Sequence, residues 1–440
     1  MATLLLASPL SLSLLDLTRS SFRTECRIRT TLPRPRSRPA VVASAEDDFF
    51  AASTYMTYAA VELRSGADGN SLVASRAAAA GDRLLEVPRD CCLTAHRSGV
   101  IGGLIGQTDL MYDAAGDLRD EVGEEMFGRG ATWDVRLALA VLEATNSAGG
   151  EFWDLYRRLL PLPVALSTPT CLPPSLLPEL HDETLSAKAA ARRDELAALY
   201  PPLADAEAHP ATTMYLQMGA PPDAIPSPLA WAHALVVSRC FTCADGDTFG
   251  FVPILDLCEH AAAPSANFSS TADGGFQLRA LRPIAAGEAV TISYGGDYDS
   301  RRLMEQYGFS QPEGNANDAR WLTELAKAAD GGGGAPAEGE RLLAAYAAHA
   351  DSGLDSPERR AALFDALAAD DAPPPGAMLA GVRAERDRWP TSLADDEAER
   401  QAIADGARVD PRVVAVLDYR IARKRQAEYA ERVLATYLNA

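Results

Sequence analysis

Residues 251–260, FVPILDLCEH, with the AAAPSANF that follows at 261–268, decide how the rest of the chain is read. The run FGFVPILDL (249–257) is strand-like; it contains Asp256, and just beyond it stand Cys258, Glu259 and His260. Across 231–309 the chain adds Arg239, Tyr294 and Tyr307, again near turns and strand ends, where functional side chains concentrate. Upstream, LAWAHALVVSRCF (229–241) reads as a helix that feeds this block. Downstream, FQLRALRPI and AVTISYGG read as strands, the second opened by a turn at Ala286-Gly287.

A similar strand pattern occupies 61–94, in SLVASR and RLLEVPRDCCLTA, punctuated by Gly66, Gly69 and Gly81. Between the two blocks the pattern is helical. FWDLYRRLL (152–160) sets Phe152, Trp153, Tyr156, Leu159 and Leu160 on one face, predicted to be core, with Pro161 as the stop. A Pro-rich passage at 160–178 leads to an alanine-rich helix at 184–199. Two strand blocks flanking helices predict one sheet system interrupted by a helical insertion at about 98–230, hence an α+β fold over 51–310. Beyond 310 the chain reads as all-helical to residue 440, broken by DGGGGAPAEGE (330–340) and DDAPPPG (370–376). The last helix has Asp410 as N-cap and Pro411 in its first turn, with Val413, Leu417, Ile421, Val433 and Tyr437 as an apolar stripe.

The 440 residues include 41 basic and 61 acidic ones, and only three are lysine (Lys188, Lys327, Lys424). Residues 1–45 hold seven of the arginines, no lysine and many Ser and Thr, the makeup of an organelle transit peptide, with VVASA (41–45) suited to processing. Without that segment 34 basic residues face 59 acidic ones, and a surface so negative repels nucleic-acid backbones. No apolar run is long enough to span a membrane. Cys240 and Cys243 form a lone CxxC, a weak zinc or redox signal, and are expected at the end of a packed helix. The six histidines show no ligand spacing, so no metal is expected, and hydrolase, phosphate-loop and dinucleotide motifs are lacking.

Taken in order, WAHALVVSRCF, VPILDLCEH…PSANF and GEAVTISYGGDYDSRRLMEQYGF resemble a SET domain of the Rubisco large-subunit methyltransferase-like class. The family's opening glycine-rich strand pair is similar to GADGNSLVASRAAAAGDRLLEVP. Its C-terminal substrate-binding helical domain is similar to WPTSLADDEAER (389–400) and YRIARKRQAEYAERVLATYL. The resemblance covers about 51–440. It implies an S-adenosylmethionine-dependent protein-lysine N-methyltransferase with a non-histone protein substrate, Rubisco or another stromal enzyme, and a plastid rather than a mitochondrial address.

By the same resemblance Asp68, Gly69 and Asn70 line the cofactor pocket, with Arg239 and Asp256, Leu257, Cys258, Glu259 and His260 as its wall. Tyr307, Gly308 and Phe309 close it, and Tyr294 is the catalytic tyrosine. These residue types suit methyl transfer, which needs positioning, dipoles facing a cation that loses its charge, and a neutral lysine amine. Two positions depart from the family pattern. Glu259 stands where the family has asparagine, and an ionised glutamate accepts hydrogen bonds but donates none. Ser71 replaces the second glycine of a G-x-G, where glycine allows close backbone approach. The spacer AAAPSANF is also longer than usual. A working enzyme and a catalytically degenerate interaction subunit, for example of a plastid transcription complex, therefore both remain open, and the pocket decides between them.

Overall fold

The computed structural model describes residues 47–440 apart from 48, 50–51, 57, 67–68, 98–130, 146–149, 209, 218, 330–337 and 407–409. The arginine-rich leader, most of the first third of the helical insertion and Asp68 thus lie outside the described residues.

Eleven strands are described. They are β1 (Tyr58–Ala59), β2 (Val61–Gly66), β3 (Gly69–Ala74), β4 (Arg83–Val87), β5 (Leu93–His96), β6 (Cys240–Thr242), β7 (Thr248–Phe251), β8 (Glu259–His260), β9 (Ala266–Ser270), β10 (Phe276–Ala280) and β11 (Thr291–Ile292). The two blocks interleave. β4 and β10 are the centre of an antiparallel sheet ordered β1-β4-β10-β9, and β5 joins β7 and β6 in a sheet ordered β5-β7-β6. The β2–β3 hairpin is tied to the second block by Val290 N–H donating to Leu72 O at 2.9 Å and Ala74 N–H to Glu288 O at 2.9 Å. β4 gains its second partner, and β5 its only one, from the second block, which is why the insertion interrupts one sheet system instead of separating two. The fold is α+β, as the alternation of patterns predicts.

The helices are α1 (Trp133–Glu143), α2 (Gly150–Tyr156), α3 (Glu183–Leu199), α4 (Pro210–Gln217), α5 (Pro228–Arg239), α6 (Ser300–Tyr307), α7 (Ala319–Ala329), α8 (Gly339–Ala347), α9 (Pro357–Ala368), α10 (Pro375–Arg386), α11 (Leu393–Ala404) and α12 (Pro411–Asn439). Two ends differ from the sequence reading. α2 stops at Tyr156, and the chain tightens into i+3 turns before Pro161, with Leu159 N–H donating to Tyr156 O at 2.9 Å. α5 stops at Arg239 because Cys240–Thr242 is drawn into the sheet as β6, so Cys240 caps the helix while Cys243 lies past the strand. Both are free, half-buried thiols.

One apolar core joins the strands to α1, α2 and α5, a second lies among α7–α12, and a third links Leu172, Leu180 and Leu185 of the insertion to Met304 of α6 and Tyr419 of α12. α12 corrects the simple stripe. Leu417, Ile421, Val433 and Tyr437 are buried as predicted and Val413 is half-buried, but Arg420, Arg423 and Lys424 are buried too. The helix is an axis surrounded by α8, α10, α11 and the turn at 178–180, so its cations must be matched from those neighbours. Arg420 and Lys424 meet Asp396, and Arg423 meets Asp182 and Glu385.

Candidate active site

The segment quoted at the outset forms the floor of the site. β7 ends at Phe251, and Ile254 adopts φ +71°, a left-handed conformation that disfavours a β-branched residue. Its N–H donates to the hydroxyl of Tyr156 at 3.2 Å, which helps to hold the turn. The following 3-10 turn, Leu255–Leu257, aims the Asp256 carboxylate into the interior, where its side chain has no solvent exposure. Tyr156 donates to Oδ1, and Arg239, arriving from the end of α5, places Nη1 at 3.1 Å from Oδ2 and 3.0 Å from the Asp256 carbonyl. Burial pushes the Asp256 carboxyl up, against the opposing pull of Arg239 and Tyr156. Burial also pushes the Tyr156 hydroxyl up, as do the charge and hydrogen bond of Asp256.

Beyond the turn the chain becomes β8, paired in parallel with β11. Alternation along the strand leaves Glu259 exposed and His260 half-buried. Among the described residues the Glu259 side chain has no hydrogen bond or ion pair. His260 Nδ1 accepts the Tyr294 N–H at 3.2 Å, and burial lowers the imidazole pKa, so the ring is neutral with its proton on Nε2. Tyr294 donates its hydroxyl to the Cys258 carbonyl at 2.6 Å. Burial pushes that hydroxyl up despite Arg239, so it stays protonated. Burial likewise pushes the Cys258 and Cys240 thiols up, which leaves them unreactive as thiolates.

α6 supplies the opposite wall. Its N-cap Asp299 accepts from Arg302 N–H at 2.7 Å, and Gly308 ends it at φ +77°. A Cβ at Gly308 would lie 2.5 Å from the backbone of Ser167 and Thr168, so this turn requires glycine. Tyr307 donates its hydroxyl to the Tyr294 carbonyl at 2.9 Å, and the two rings stand 4.7 Å apart. Phe309 lies 5.9 Å from the His260 ring and 6.2 Å from that of Tyr294. Arg239, Cys258, Tyr294, Tyr298, Gln306 and Tyr307 line a cavity of about 170 Å³.

Most of the residues expected from the sequence are thus brought together: Arg239, Asp256, Cys258, His260, Tyr294, Tyr307 and Phe309 form one connected group. Leu257 is buried in the core beneath it. Gly69 (φ +117°) and Asn70 lie in the hairpin, which packs by β3 against the 255–257 turn. Asn70 Nδ2 donates to Leu159 O at 3.4 Å and its Oδ1 accepts from Ser65 at 3.0 Å, so it joins none of the hydrogen bonds of that group. Ser71 is half-buried and its hydroxyl reaches across the hairpin to Arg64 O at 3.5 Å.

Three participants escaped the sequence reading. Tyr156 is core by its ring, but its buried hydroxyl needs a partner and finds Asp256, a requirement that could have marked it. Gln306 and Tyr298 carry no motif signal. A larger cavity of about 470 Å³ lies on the other side of Gln306, where Asp134 contacts both His233 and Arg192 at 2.9 Å. None of the expected site residues lines it, and the smaller cavity is the one enclosed by the tyrosines. Among the described residues no group of His, Cys, Asp or Glu is arranged to hold a metal ion, and no helix is long and apolar enough to cross a membrane.

No protein-family model matches the sequence, and no curated protein matches it. Solved structures do match. The SET domain of LSMT bound to methyllysine and AdoHcy aligns at TM-score 0.54 and 16% identity over 90% of this chain and 92% of that one. The same domain bound to lysine and AdoHcy aligns at 0.52 and 16%, over 89% and 91%. Rubisco LSMT bound to AdoMet aligns at 0.52 and 15%, over 90% and 92%. With both chains covered almost throughout, the chain has the SET-domain fold of the Rubisco LSMT structures.

Proposed function

We propose that this chain is an S-adenosylmethionine-dependent protein-lysine N-methyltransferase acting on a non-histone protein of the plastid stroma. The observation that carries the reading is the relay Tyr307 O–H to Tyr294 O and Tyr294 O–H to Cys258 O around a small cavity walled by aromatic rings. Such a cavity admits a slender chain end and disfavours a charged ammonium, so it selects the neutral amine that must attack. Fixed carbonyl and hydroxyl oxygens at its wall hold the amine in line and stabilise the positive charge that develops on nitrogen. S-adenosylmethionine, when bound, would supply the methyl group as a sulfonium, to a neutral amine that these residues orient and shield from water.

The chain's own residues fit such a group. Arg239 spends Nη1 on Asp256 and has further guanidinium N–H groups for a carboxylate. Glu259, whose side chain is exposed and unpaired among the described residues, offers a carboxylate that can accept from an ammonium. The Ser71 hydroxyl is occupied within the hairpin. The acidic surface suits a basic segment around the target lysine, docked on the C-terminal helices.

Calorimetric titration of S-adenosylmethionine and S-adenosylhomocysteine into the chain, alongside Glu259→Asn, tests the proposal. Micromolar binding by the natural chain is expected. Absence of binding, restored by Glu259→Asn, would instead favour an interaction subunit whose pocket Glu259 has disabled.

A further inference from the structure

Tyr156 closes α2 and is wholly buried, its ring centre 6.0 Å from that of Phe152 and 5.8 Å from that of Trp153. Its hydroxyl accepts the Ile254 N–H at 3.2 Å and donates to Oδ1 of Asp256. That second bond decides how Asp256 meets Arg239. A carboxylate with both oxygens available takes a guanidinium by two parallel hydrogen bonds. Here only Oδ2 is available, and Arg239 answers with Nη1 alone, shared between Oδ2 at 3.1 Å and the Asp256 carbonyl at 3.0 Å. Its Nε and Nη2 make no hydrogen bond among the described residues, yet neither is shut away from solvent. The Arg239 side chain is 21% exposed and lines the 170 Å³ cavity but not the 470 Å³ one. One edge of the guanidinium is therefore spent on Asp256, and the other is open to a ligand.

We propose that Tyr156 is a positioning residue for cofactor binding. By occupying one oxygen of Asp256 it keeps that carboxylate from pairing with both edges of Arg239, and so reserves Nε and Nη2 for the carboxylate at the cofactor's amino-acid end. This rests on the methyltransferase reading. Without the hydroxyl, Oδ1 is freed and Asp256 can rotate into a two-bond pair that consumes the anchor. Burial and the neighbouring Asp256 push the hydroxyl's pKa up, so it remains a donor at neutral pH. The helical insertion thus acts on the cofactor site from within the core. In the sequence, FWDLYRRLL marks the Tyr156 ring as apolar and is silent on its hydroxyl.

The test uses S-adenosylhomocysteine and its decarboxylated analogue, S-adenosyl-3-thiopropylamine, which differ only in the carboxylate. Both are titrated calorimetrically into the full chain for the natural protein, Tyr156→Phe, Arg239→Lys and the double variant. The natural protein is expected to bind S-adenosylhomocysteine at least about tenfold more tightly than the analogue, the worth of a charge-assisted hydrogen bond. Tyr156→Phe keeps the ring and its contacts; it should weaken S-adenosylhomocysteine about fivefold and leave the analogue within about twofold. Arg239→Lys keeps a cation for Asp256 but has no second edge, so it should lose the same selectivity, and adding Tyr156→Phe should then change S-adenosylhomocysteine binding less than about twofold. If Tyr156→Phe weakens both ligands equally, the hydroxyl only holds the turn at Ile254 and the proposal is wrong. A full further loss on top of Arg239→Lys would also overturn it. Should Tyr156→Phe unfold, 4-aminophenylalanine in place of Tyr156 keeps a donor at that point. Natural selectivity is expected of it, and selectivity lost in the folded protein would overturn the proposal. Equal binding of both ligands by the natural chain refutes the proposal and leaves the methyltransferase reading standing, whereas binding of neither refutes both.

Discussion

Asp182 gathers more structural consequences than any single residue near the site, and replacing it tests how the molecule is held together. Its Oδ1 caps α3 by accepting from Leu185 N–H at 3.0 Å, while Oδ2 accepts from Tyr419 at 2.8 Å and Arg301 Nε at 3.0 Å and lies 3.2 Å from Arg423 Nη1. The insertion, α6 and α12 thus meet at one carboxylate whose side chain is 2% exposed, opposite an Arg423 side chain that is 5% exposed. Asp182→Ala takes one of two anions from Arg423, which keeps Glu385, and from Arg301, which keeps Glu324. Breaking a buried pair outright costs about 3–5 kcal/mol, and with the second anions still in place about 2–4 kcal/mol is expected, of which about 1 is the cap. Asp182→Ser keeps the cap and should recover that ~1 kcal/mol. The assay is equilibrium urea unfolding followed by tryptophan fluorescence, because Trp321 packs beneath Arg423 at 5.2 Å. Burial pushes the Asp182 carboxyl up, but Arg423 and Arg301 outweigh it and hold the pKa below the usual carboxylate range. The contribution should therefore be complete above the unfolded pKa of about 4 and fade as pH falls through the folded value. A loss in Asp182→Ala below about 1 kcal/mol, or one that vanishes in 1 M salt as an exposed pair's would, would refute the reasoning.

Tyr294→Phe removes the donor to Cys258 O and should lower single-turnover methyl transfer to L-lysine on the order of a hundredfold, while urea unfolding shifts by only about 1 kcal/mol. Gly308→Ala should cost at least about 2 kcal/mol in urea unfolding, because its Cβ meets the Ser167–Thr168 backbone. Gly287→Ala, at the same φ of +77° with only the tip of Arg64 at 3.7 Å, should cost about 1 kcal/mol. Burial raises the Asp318 carboxyl to about 7 against the hydrogen bonds from Ser300, so the protein should lose stability as pH rises from about 4 to about 7. Asp318→Asn, whose amide can accept from Ser300 N–H and donate to its hydroxyl, should flatten that slope in urea titrations at several pH values.

Much of this protein was legible in one dimension because its signals are local. Alternation and turn residues mark the strands, Asp410-Pro411 opens α12, and the ordered run from Trp231 to Phe309 carries the residues that the fold assembles. Sequence order alone also implied that the two strand blocks belong together, since one sheet system interrupted by a helical insertion accounts for strands on both sides of it. What the tertiary structure decided are the partners of polar groups that neighbours in sequence cannot supply. The Tyr156 hydroxyl meets a carboxylate 100 positions away, Arg423 meets Asp182 across 241, and Gln306 has its amide fixed by Val237 from another helix. Periodicity reports which face of an element is apolar. It cannot report which buried charge or amide will be satisfied by what, because that depends on distances and desolvation that exist only after the chain has packed.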